Sequence, residues 1–173
     1  MDSGNAFVVI SHLAPDHTSL LSSILQRSTS MNVSEAVDGE AVKANSIYTI
    51  PPNKEMTIEG GVLRLSPPEE ARGHRMPINL FYSSLAKDLK EKAVGIILSG
   101  TGTDGTLGLG EILKNGGTSF VQIPSTARYD GMPTSAIQAG YAKAVMAVEE
   151  MGEALVSVLG KKKSSHDEAL IPI

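Results

Sequence analysis

Cysteine is missing from all 173 residues. That excludes disulfides, a thiolate nucleophile and a metal held by thiolates. A basic excess is also missing: 15 Lys and Arg stand against 19 Asp and Glu, for a net charge of −4. The one basic run, Lys161-Lys162-Lys163, lies near the C-terminus, so the chain carries no electrostatic footprint for nucleic acid. No apolar run approaches the ~18 residues needed to cross a bilayer. The N-terminus has neither the basic region nor the long apolar core of a secretory signal. No internal repeat is visible, and no three or four ligand-type residues fall at metal-site spacing. The expectation is a cytoplasmic protein with no bound metal or cofactor, no nucleic-acid partner and no membrane insertion. At 41% hydrophobic and 20% charged, the chain has the composition of one ordinary globular domain with a sizeable core.

Short apolar runs alternate with helical periodicity. Ala6 to Ile10 is apolar on both faces, as interior strands of parallel sheets are. Asp16 reads as an N-cap for a helix over His17 to Arg27. Val33 to Val37 and Ser46 to Ile50 read as strands. Met56 to Glu59 and Val62 to Leu65 flank Gly60-Gly61, a hairpin signal. Pro77 suits the first turn of a helix running to about Lys90, with Ile78, Phe81, Leu85 and Leu89 on one face. Strands follow at Val94 to Leu98, Thr118 to Gln122 and Ala144 to Val148. Helices are expected at Thr106 to Asn115, Ser135 to Ala139 and Glu149 to Leu159. The pattern predicts an α/β fold, a three-layer sandwich with a mostly parallel, Rossmann-like sheet and a β-hairpin excursion. Residues 1–159 form the domain, and 160–173 read as a flexible tail.

In such a sheet, loops after the strands share one edge, where ligands bind. One loop carries His12, a second Asp104, and a third Thr126, Arg128, Tyr129 and Asp130. A His and an Asp at one edge suit an imidazole oriented by a carboxylate. The competing reading is a hydrogen-bonded loop histidine and ordinary Asp-Gly turn chemistry. The second loop, Gly100-Thr101-Gly102-Thr103-Asp104-Gly105, also satisfies G-x-G-x-x-G, the letters of a dinucleotide fingerprint. Charge argues against that use, because Asp104 would place a carboxylate where a pyrophosphate must sit. The strand that should end in a ribose-holding acid ends instead in Gln122-Ile123-Pro124. Without a phosphate, the glycines still permit positive φ and leave the N–H of Thr101 or Gly102 free to face an oxyanion. His17, His74 and His166 carry no comparable signal.

Five stretches in order, FVVISHLAPDHTSLL, DGEAVKANSIYTIPPN, RMPINLFYSSLA, VGIILSGTGTDGTLGL and ARYDGMPTSAI, resemble the catalytic domain of chemotaxis-type protein-glutamate methylesterases (CheB type). They are closest to the version fused to a receptor methyltransferase. The resemblance covers about residues 6–159. It implies an α/β/α sandwich, a Ser–His–Asp triad, hydrolysis of glutamyl methyl esters on chemoreceptors and, in many members, deamidation of receptor glutamines. It implies methyl-accepting chemoreceptors as partners, with a receptor methyltransferase as a further one. By motif, the family's histidine falls on His12 and its aspartate on Asp104. Many members have methionine after the first loop glycine, with its backbone N–H in the oxyanion hole; Thr101 stands there in this chain, beside Gly102.

The family's nucleophile sits in a G-x-S-x-G-G turn upstream of the histidine strand, and these residues do not contain that motif. Ser3 has no preceding strand. Ser11 adjoins His12, and neighbouring side chains of an extended segment point apart. Ser99 lacks the sharp turn of a nucleophile elbow. A missing strand and helix would leave a sheet edge and an apolar face uncovered. The leading expectation is therefore a methylesterase domain, inactive by itself, whose serine lies outside these residues. A scaffold that binds receptor or methyltransferase without catalysis is the second reading, and a dinucleotide-binding enzyme the third.

Overall fold

The computed structural model describes residues 4–12, 20–71, 73–162 and 170–172. In chain order the elements are β1 (Ala6–Val9), α1 (Leu21–Gln26), β2 (Asn32–Glu35), β3 (Ser46–Thr49), β4 (Glu55–Glu59), β5 (Val62–Ser66), α2 (Pro77–Leu89), β6 (Val94–Ile97), α3 (Thr106–Lys114), β7 (Thr118–Gln122), α4 (Gly131–Gln138), β8 (Ala144–Met146), α5 (Val148–Lys162) and β9 (Leu170–Pro172). Strands β2-β3-β1-β9 form a 4-stranded sheet and β6-β7-β8 a 3-stranded one, and every pairing within them is parallel. Strands β3, β6 and β7 are buried at every position, as interior strands covered on both faces are; β6 is wholly apolar, whereas β3 and β7 also bury Ser46, Thr49, Thr118, Ser119 and Gln122.

Helices cover both faces. On one side, Val8, Tyr48, Ile97 and Val121 meet Phe81 and Leu85 of α2, Leu109 and Ile112 of α3, and Ala136 of α4. On the other, Val94, Ile96 and Phe120 meet Met151 and Leu159 of α5. The fold is thus an α/β/α sandwich, as the alternation predicts. The β4–β5 hairpin is antiparallel and rides on α2, where Asp88 accepts the N–H groups of Gly60 at 2.6 Å and Gly61 at 3.0 Å. Both glycines have positive φ, 57° and 72°, the geometry of a tight two-residue hairpin turn.

The structure departs from expectation in three places. Helix α1 is short, buries none of its residues and leaves Leu20 and Ile24 exposed; the expected cap Asp16 and His17 lie outside the described residues. Helix α4 starts at Gly131, where loop was expected, because Pro133 falls within a first turn that needs no N–H from it. The stretch expected as a flexible tail also needs correction. Helix α5 runs on to Lys162, and Leu170–Pro172 pair with Ala6–Val8. The physical reason lies in β1, whose edge would otherwise present unpaired N–H and C=O groups.

Candidate active site

His12 follows β1 and Asp104 follows β6, and the two meet: His12 Nε2 lies 2.9 Å from Asp104 Oδ2. Asp104 is 2% exposed, and a carboxylate that buried needs several donors. Helix α2 provides two of them. Its first residue is Pro77, which has no N–H, and Met76 before it makes no side-chain cap. The next two amides are therefore unpaired within the helix. Ile78 N–H donates to Asp104 Oδ2 at 3.0 Å and Asn79 N–H to Oδ1 at 2.9 Å. Gly105 N–H adds a third bond to Oδ1 at 2.8 Å. Asp104 thus caps α2 from 26 residues away, at the positive end of the helix dipole.

The capping is reciprocal. Asn79 Oδ1 accepts the N–H of Gly108 in the first turn of α3 at 2.9 Å. The two helices can approach this closely because Gly108 has no side chain; a Cβ there would lie 2.5 Å from Tyr82 Cβ. Gly105 faces a similar constraint. Its φ is 89°, and a Cβ would lie 2.3 Å from Ile97 Cδ1, so only glycine fits between Asp104 and α3.

This arrangement polarises His12. The hydrogen bond His12 donates to Asp104 is the largest influence and raises the imidazole pKa above its usual 6.5; burial of the ring opposes the rise and the Asp104 charge adds to it. With Nε2–H donated to Asp104, the neutral ring keeps its lone pair on Nδ1, the nitrogen available to accept a proton. The His12 side chain is 48% exposed.

The glycine loop is tied down at its start. Gly100 N–H donates to Tyr129 C=O and Gly100 C=O accepts from Met132 N–H, each at 2.9 Å. Gly131, in the first turn of α4, lies so close that a Cβ would be 2.9 Å from Gly102 N. Thr101 and Gly102 are exposed, and their N–H groups have no hydrogen-bond acceptor among the described residues. The Gly105 amide, which a phosphate at the start of α3 would need, is already given to Asp104.

No described serine bonds His12. Ser11 Oγ is buried with no hydrogen-bond partner among the described residues, and Ser99 Oγ accepts the N–H of Tyr129 at 2.9 Å; Ser3 lies outside the described residues. Of the third loop, Thr126 turns back to Ile123 C=O and Arg128 stacks over Tyr129. Among the described residues, no cluster of His, Asp or Glu could hold a metal, and no helix is long and apolar enough to cross a membrane. Sequence reasoning overlooked Asn79 and the α2 amides as the support of Asp104.

An α/β/α sandwich with a His–Asp pair at the carboxyl ends of its parallel strands belongs among the hydrolase-like α/β proteins. Residues 1–155 match the CheB methylesterase family, and the chain belongs to that family. It is 30% identical over 154 residues to a putative protein-glutamate methylesterase/protein-glutamine glutaminase of Leptospira interrogans, covering 88% of this chain and 80% of that one. It is 30% identical to the corresponding enzyme of Geobacillus kaustophilus, but spans only 46% of it. It is also 40% identical over 132 residues to an uncharacterized 104.1 kDa protein of Rhodobacter capsulatus, spanning 14% of that protein. The crystal structure of the Thermotoga maritima CheB methylesterase catalytic domain superposes with a TM-score of 0.78 at 29% identity, covering 87% of this chain and 82% of that one.

Proposed function

We propose that this chain provides the base, its orienting carboxylate and the oxyanion-binding loop of a protein-glutamate methylesterase that acts on chemoreceptors in the cytoplasm. The observation that carries the reading is the bond between His12 Nε2 and Asp104 Oδ2, held from behind by the amides of α2. The names of the relatives support the substrate class.

In this mechanism a serine hydroxyl, presented by a segment outside the described residues, gives its proton to His12 Nδ1 as its oxygen attacks the γ-glutamyl ester carbonyl. The resulting oxyanion is held by the N–H groups of Thr101 and Gly102. His12 returns the proton to the departing methoxide, which leaves as methanol. Water, deprotonated by the same nitrogen, then cleaves the acyl-enzyme to glutamate and free serine. A receptor glutamine follows the same path with ammonia as the leaving group. A receptor methyltransferase is a further partner in this reading.

Purified chain incubated with methyl-labelled receptor is expected to release no more than traces of methanol. A chain extended with a strand and G-x-S-x-G-G turn is expected to release it steadily, and His12→Ala is expected to stop that release. Brisk release by the unextended chain would place the nucleophile within it, and release that survives His12→Ala would remove His12 from the mechanism. Tight receptor binding with no turnover after the extension would favour a scaffold role.

A further inference from the structure

Beside His12 the surface folds into a small cavity that the mechanism above does not use. Its volume is about 70 Å³, and its lining includes Ser11, His12, Asn53, Lys54, Glu55 and Arg75. Pockets for whole small molecules begin at roughly 300 Å³, so this one suits a single side-chain group.

Arg75, half-buried, is held in a fixed pose. Its Nε–H donates to Glu70 C=O at 2.9 Å, and an Nη1–H donates to Asn53 Oδ1 at 3.0 Å. Asn53 has a φ of 54°, a left-handed conformation that asparagine tolerates better than most residues. Both acceptors are neutral. They set the plane of the guanidinium and leave both N–H groups of Nη2 and one of Nη1 open among the described residues. Neither Arg75 nor Lys54 has a carboxylate partner there. Glu55 is the one carboxylate in the lining. Two cations against one anion make a local positive spot in a chain of net charge −4. The Ser11 hydroxyl, buried with no partner among the described residues, is a further donor in need of an acceptor.

We propose that this cavity is a carboxylate subsite for the substrate protein: Arg75, assisted by Lys54 and Ser11, binds an acidic side chain close in sequence to the ester-bearing glutamate. The inference rests on the methylesterase reading and supplies its specificity. A methyl ester is neutral, so charge cannot guide it to His12, whereas a charged neighbour is both steered and held. The open Nη edge of a planar guanidinium matches the two oxygens of a carboxylate. The residue selected is therefore a glutamyl ester or glutamine flanked by a free acid, in preference to one flanked by neutral residues.

The test is an NMR titration of the full chain, read at the Arg75 Nε–H and the amides of residues 11, 12 and 53–55. The probes are alanine-based peptides with one γ-methyl glutamate and one free glutamate placed one to four residues to either side. Matched peptides carry glutamine in place of the free glutamate, and sodium acetate serves as a carboxylate without an ester. At one spacing or more the glutamate peptide is expected to bind about tenfold tighter than its glutamine match, with the difference shrinking as salt is added. Arg75→Gln, checked for folding by circular dichroism, is expected to erase the difference and leave the glutamine peptide's affinity unchanged. Lys54→Gln, which breaks no bond in the structure, is expected to reduce it. Equal binding of the two peptides at every spacing overturns the proposal and leaves the methylesterase reading standing. A preference that survives both variants also overturns it. Response to acetate with none to any ester peptide sinks both.

Discussion

Replacing Asp104 by asparagine changes one oxygen into an NH₂ group and removes the charge. Each carboxylate oxygen receives two donors: Oδ2 takes Ile78 N–H and His12 Nε2, and Oδ1 takes Asn79 and Gly105 N–H. Whichever way the amide turns, its NH₂ faces two groups that need an acceptor. Turned toward Oδ1, it strands two backbone amides. Turned toward Oδ2, it strands Ile78 and forces the His12 proton onto Nδ1, which removes the base. Stranding buried donors costs about 1–3 kcal/mol each, so Asp104→Asn is expected to lose about 2–4 kcal/mol. Thermal unfolding should report this at roughly 2–4 °C per kcal/mol for a chain of this size. The imidazole should respond as well. Both influences that raise the His12 pKa come from Asp104, and what remains is burial, which lowers it. NMR titration should therefore move from above 6.5 in the wild type to below it in the variant. A variant with wild-type stability and an unchanged His12 titration would refute the account of Asp104 as a cap and orienter together.

The same linkage sets a pH dependence. Because the folded pKa of His12 lies above 6.5, its stabilising contribution is complete below that pH and fades as pH rises through the folded value, which urea titrations at stepped pH would detect. Gly105→Ala is expected to cost about 2–4 kcal/mol in chemical denaturation, since a Cβ 2.3 Å from Ile97 Cδ1 and a φ of 89° act together. Gly131→Ala, whose Cβ would press on the backbone of Gly100 and Gly102, should shift the amide resonances of Thr101 and Gly102 at a cost of about 1–3 kcal/mol. Asp88→Ala should loosen the β4–β5 turn, with faster hydrogen exchange at Gly60 and Gly61 and a loss of about 1 kcal/mol.

The layer order was legible because buried parallel strands write themselves as apolar runs, and Ala6 to Ile10 and Val94 to Leu98 are such runs. Pro77 correctly marked the start of α2. What its position also implied is that the amides of Ile78 and Asn79 needed an acceptor Met76 could not provide; the acceptor, Asp104, is remote in sequence, and local patterns do not carry such pairings. The juxtaposition of His12 with Asp104 followed from one rule about strand ends, and the glycine pattern already suggested that the amides of Thr101 and Gly102 are left without an acceptor, as they are among the described residues. Strand β9 escaped notice because a short apolar stretch ending in proline reads as a terminus. It becomes a strand only beside an edge that lacks a neighbour.

The division of the strands into two sets has a mechanical consequence. His12 is carried by one set and Asp104 by the other, so their 2.9 Å contact is a gauge of how the two halves align. Any loosening between the two sets would lengthen that contact, and ring titration would record it. Heating should therefore detune the imidazole ahead of global melting.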